Sequence, residues 1–81
     1  MSEMSRENAA GARAVYRRIV AADSRDAFGW WGLAIVASRL GEREEAYRAT
    51  RRAVDLDSTN LAARESLREM ERARAGPAAG P

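Results

Sequence analysis

The side chains able to do chemistry here are carboxylates, guanidiniums and hydroxyls, because the 81 residues include no cysteine and no histidine. That removes the thiol nucleophile, the imidazole base, the disulfide framework and the common zinc-finger spacings together. Two carboxylate pairs remain, Glu44 with Glu45 and Glu65 with Glu69. General acid/base work needs one member of such a pair with a raised pKa, which takes burial or a like charge held close. Adjacent residues splay apart on a helix, and the i, i+4 pair sits on an exposed face, so neither pair reads as such a site. No catalytic residue, metal site or cofactor is expected.

Arginine supplies the second constellation: all 14 cations are arginine, set among 12 carboxylates, for a net charge of +2. Arg17-Arg18 and Arg51-Arg52, with Arg13 and Arg48 one turn earlier, could form a basic stripe for nucleic acid. Glu44, Glu65 and Glu69 precede Arg48, Arg68 and Arg72 by three or four residues, so local pairing at ~0.2–0.5 kcal/mol each explains much of the charge. The aromatics do not interleave with the arginines to make a stacking platform. A nucleic-acid partner is not expected.

The elements that must position these groups are helices. Eighty-one residues allow one small domain, and 46% hydrophobic with 32% charged residues and two prolines is the balance of a packed, helix-rich protein. The longest mostly apolar stretch, Phe28 to Val36, is far short of the ~20 residues of a membrane span, and Met1 to Glu7 is polar. No membrane segment is expected, and the cytosol is the default compartment. Abundant Ala and Arg without Lys fits a GC-rich bacterial genome.

Ala12, Val15, Tyr16, Ile19 and Val20 recur at helical spacing, predicting a first helix over about Ser5 to Ala22. Asp23 to Asp26 ends it, and Asp26 can cap a second helix from Ala27 to Leu40, which Gly41 stops. A third, from about Arg43 to Leu56, carries Ala46, Thr50, Ala53 and Val54 inward. Asp57 to Asn60 repeats the capping chemistry, and a fourth helix with Leu61, Leu67 and Met70 on one side fades near Arg74. Residues 76–81, Gly-Pro-Ala-Ala-Gly-Pro, read as a flexible tail to a single helical domain at 1–75.

A displacement of the chain by 34 residues lays Ala12 on Ala46, Arg17-Arg18 on Arg51-Arg52, Val20 on Val54, Asp23-Ser24 on Asp57-Ser58 and Leu33 on Leu67. A helix–turn–helix unit of that period resembles the tetratricopeptide repeat. Residues 27–60 carry the likeness: Trp30 and Leu33 fall in the tryptophan and leucine slots, Gly41 at the inner turn, Ala46 in the alanine slot and Ala53 at the late small position. Ala34, Ala37, Thr50 and Ser58 stand where the pattern has glycine, tyrosine, phenylalanine and proline. Before this unit, Ala12 and Tyr16 fit the second half of another repeat. After it, Leu61 to Arg74 resembles the first half of a third, with Arg64 and Arg68 making it a polar cap.

The resemblance implies an all-α, four-helix superhelix of antiparallel hairpins. Trp30, Leu33, Ala34 and Ala37 share one arc of the second helix and face its hairpin partner, while Phe28, Trp31, Ile35, Ser38 and Arg39 occupy the next arc. In tetratricopeptide proteins that second arc lines a groove for peptides. The resemblance thus implies a partner-binding face at Phe28, Trp31, Ile35 and Arg39, opposite Glu65 and Glu69. Three occupants stay open from sequence: the chain's own fourth helix and amino-terminal arm, a second copy in a homo-oligomer, or a foreign protein segment. A core this small rarely supplies more than ~3–5 kcal/mol, so the leading reading is a small adaptor for a protein or peptide partner. A homodimer through the same apolar face is the alternative.

Overall fold

A computed structural model of the chain describes residues 5–75, and the expected tail at 76–81 lies outside them. The architecture is all-α: α1 (Arg6–Ala22), α2 (Ala27–Arg39), α3 (Arg43–Leu56) and α4 (Leu61–Ala75), joined by short turns into helical hairpins. Ser5 lies outside the first helix as its N-cap, its Oγ accepting from the Asn8 N–H at 3.1 Å. Leu40 is likewise the cap rather than the end of α2.

Gly41 explains that stop. It sits at φ +78°, where a side chain would be strained, and its N–H reaches Ser38 O while the Glu42 N–H reaches Ala37 O at 2.9 Å. This paired closure satisfies the last carbonyls of α2 and reverses the chain into α3.

The turns on either side of the α2–α3 hairpin repeat each other bond for bond. Asp23 Oδ1 accepts from the Arg25 N–H at 3.0 Å, as Asp57 Oδ1 does from Thr59. Asp23 O accepts from Asp26, as Asp57 O does from Asn60. Asp26 Oδ1 caps α2 through the Gly29 N–H at 2.9 Å, as Asn60 Oδ1 caps α4 through Ala63 at 3.0 Å. The Thr59 hydroxyl also donates to the Asp57 carboxylate and, with the backbone bond, holds its pKa below the usual carboxylate value.

The core joins three helices: Val20 from α1, Leu33, Ala34 and Val36 from α2, and Ala49 from α3, with Tyr16, Trp30 and Trp31 packed against it. Helix α2 buries more than its sequence pattern indicates. Val36 is fully buried, and Gly29 and Gly32 let α1 approach so closely that a Cβ at position 32 would stand 2.3 Å from the Tyr16 ring. Of two residues expected inward, Val15 is 53% exposed at the outer edge of α1 and Leu61 is 68% exposed at the start of α4. Among the described helices, α1 packs on α2 and α4 on α3, so each of these two keeps an uncovered side. Helix α4 buries Ala63 alone.

The ion pairs differ from the local ones expected. Among the described residues they run between helices: Arg17 Nε to Glu45 at 2.7 Å, Arg13 to Glu45 at 3.6 Å and Glu42 at 3.8 Å, and Arg74 to Glu44 at 2.8 Å. Packing the helices side by side brings Glu45 and Glu44 nearer to arginines of other helices, distant in sequence, than to those on their own.

Candidate functional site

Helix α2 packs against α1, over Gly29 and Gly32, and against α3, and it buries Leu33, Val36 and Ala37. Its third side is open. There Phe28 is 86% and Ile35 39% exposed, with Trp31 half-buried between them. Helix α4 therefore leaves Phe28 and Ile35 uncovered, and the amino-terminal arm that one expectation joined to it includes residues 1–4, outside the described ones.

A cleft of about 270 Å3 runs along the open side. Trp31, Ala34, Ile35, Ser38 and Arg39 form its α2 wall. Thr50 of α3 lies at the bottom, fully buried, its Oγ1 donating to Ala46 O at 2.7 Å and so presenting no unsatisfied donor. Ser66 and Met70 form the α4 wall. Of the residues read from sequence, Trp31, Ile35 and Arg39 thus meet in one cleft. Phe28 stands outside its lining, as do Glu65 and Glu69, which are exposed on α4 one residue before Ser66 and Met70. Among the described residues, Arg39 is the single charged one lining the cleft.

Sequence reasoning did not find Thr50 and Ser66 as site residues. A signal existed. Thr50 and Ser66 lie one repeat after Tyr16 and Gly32, the pair that fills the equivalent space between α1 and α2 with a phenol ring. Where a threonine replaces that ring, a cleft remains on its outer side.

Two larger clefts are already occupied by charges of the chain itself. One of about 640 Å3 between α3 and α4 is bordered by Glu44, Tyr47 and Arg74, and there the Arg74 guanidinium bridges Glu44 and lies 4.1 Å from the Tyr47 ring centroid. The other, about 550 Å3 between α1 and α3, is bordered by Arg17, Glu45 and Trp30. Hydrogen bonding to Glu45 and Glu44 raises the pKa of Arg17 and Arg74, respectively. A ligand in either cleft would have to displace these pairs. Glu44 and Glu45 thus face opposite ways, one toward α4 and the other toward α1, in separate ionic contacts.

No protein-family model, curated protein or solved structure matches the chain. Among the described residues no helix is long and apolar enough to cross a membrane.

Proposed function

We propose that this chain is a non-catalytic interaction module of tetratricopeptide type, an adaptor that holds a segment of another protein against the open side of α2. The carrying observation is the run Phe28, Trp31, Ile35, which leaves aromatic and aliphatic surface in water on a helix otherwise enclosed by α1 and α3. Burying a side chain of this class contributes ~1.5–3 kcal/mol, so an occupant that covers the run gains binding energy without remodelling the fold. The bond-for-bond repetition of the two turns, in the same register as the sequence repeat, supports the family reading.

The test is retention of a partner from the native host by the wild-type chain and by Phe28→Ala/Trp31→Ala. Loss of a specific partner by the variant, with unchanged circular dichroism, is the expected result. Equal retention would remove the groove from the function.

One observation favours a second reading, self-association: Val15 is 53% exposed on the side of α1 that a further helix would cover in a longer stack. Light scattering separates the two. A concentration-independent dimer dissociated by Val15→Glu or Trp31→Glu supports the self-associating module, whereas a monomer supports the adaptor.

A further inference from the structure

The chain contains an internal control for its own cleft. In the first interhelical space, Tyr16 of α1 lies against Gly32 of α2, so close that a Cβ on Gly32 would meet the ring at 2.3 Å. One repeat later, Thr50 of α3 and Ser66 of α4 hold the same two positions, and both line the 270 Å3 cleft. The second space holds no ring of its own, and outside the buried Thr50 its cleft opens onto the exposed side of α2 beside Trp31 and Ile35. At about 270 Å3 it lies at the small end of the ~300–1,000 Å3 typical of ligand pockets.

Charge narrows the occupant further. Arg39 lines the cleft at the last turn of α2, with no ion-pair partner among the described residues, and Ser38 beside it adds a hydroxyl. Glu65 and Glu69 stand on the neighbouring turns of α4, exposed and likewise outside the ion pairs. They oppose a uniformly acidic segment and leave the Arg39 end as the one place for a carboxylate.

Resting on the proposed adaptor role, we infer that the partner is a polypeptide segment that inserts one aromatic side chain over Thr50, between Trp31 and Met70, and sets a neighbouring acidic side chain against Arg39. The added ring supplies, outside Thr50, the aromatic surface that Tyr16 carries one unit earlier. Binding completes a packing layer that the chain's own sequence leaves open.

The test uses a display library of short random segments between fixed glycine–serine flanks, which exposes only side-chain charges. Segments enriched on the wild-type chain are expected to pair an aromatic with an acidic residue. Thr50→Tyr/Ser66→Gly, which copies the Tyr16/Gly32 pair, should weaken them at least about tenfold, the scale of one lost anchor contact. Arg39→Glu, at an exposed position that leaves the fold alone, should weaken them similarly and be rescued by segments whose acid is exchanged for arginine. Segments that Trp31→Glu abolishes but that bind equally to the filled-cleft and Arg39→Glu variants would overturn this inference and leave the groove reading standing. No enrichment, or binding indifferent to Trp31→Glu, would overturn both. A dimer that the filled-cleft variant dissociates would make a second copy the occupant and overturn the segment.

Discussion

The three-helix block α1–α3 and the fourth helix are held by different physics. In the block, Val36 and Thr50 are fully buried and two glycines admit close helix–helix contact. Helix α4 buries Ala63 alone and is tied down at its far end by Arg74, which bridges Glu44 and stacks on Tyr47, with Glu71 3.4 Å from the Tyr47 hydroxyl. Equivalent sequence positions therefore carry unequal energy. One wall of the cleft is core-anchored, and the other is a lightly docked helix that an occupant can adjust.

Leu33 and Leu67, identical residues one repeat apart, test that contrast most strongly. Leu33→Ala should cost about 3 kcal/mol in urea denaturation, and Leu67→Ala about 1, because only the first removes a fully enclosed side chain. Equal costs would erase the distinction. Gly32→Val should cost about 2 kcal/mol by forcing α1 from α2, and Tyr16→Ala in the same chain should recover part of it. Hydrogen exchange should then show α4 amides opening at least about tenfold more readily than those of α2. Arg74→Ala should speed exchange in the last turns of α4 without altering the block.

The smallest effect concerns pH. Asp57 is held below its ordinary pKa by the Thr59 hydroxyl and N–H, so its contribution to the α3–α4 turn is present above about pH 4 and is lost as pH falls through the folded value. The Thr59 amide resonance should shift in that acid range, and Asp57→Ala should remove the shift.

Helix limits were legible in the sequence because they depend on short-range chemistry: Asp26 and Asn60 cap, and Gly41 reverses the chain. The second apolar face of α2 was legible because Trp31, Ile35 and Arg39 recur at helical spacing, but its openness was not, since the fourth helix and amino-terminal arm could equally have covered it. The contact of α2 with α1 was not, since it depends on the absence of side chains at Gly29 and Gly32, which hydropathy patterns do not register. Nor were the ion pairs, whose partners meet only after the helices pack. On α4 the repeat register pointed to Glu65 and Glu69, whereas the cleft is lined one residue further, about 100° around the helix, by Ser66 and Met70.

The adjacent indoles face different surroundings. Trp30 donates its Nε1–H to the Ser24 carbonyl at 2.9 Å, an oxygen that Arg52 also approaches at 3.3 Å, while Trp31 borders the cleft. Trp30→Phe would leave a single indole, at the mouth of that cleft. Its emission maximum would then report occupancy directly, with the second indole no longer blurring the signal.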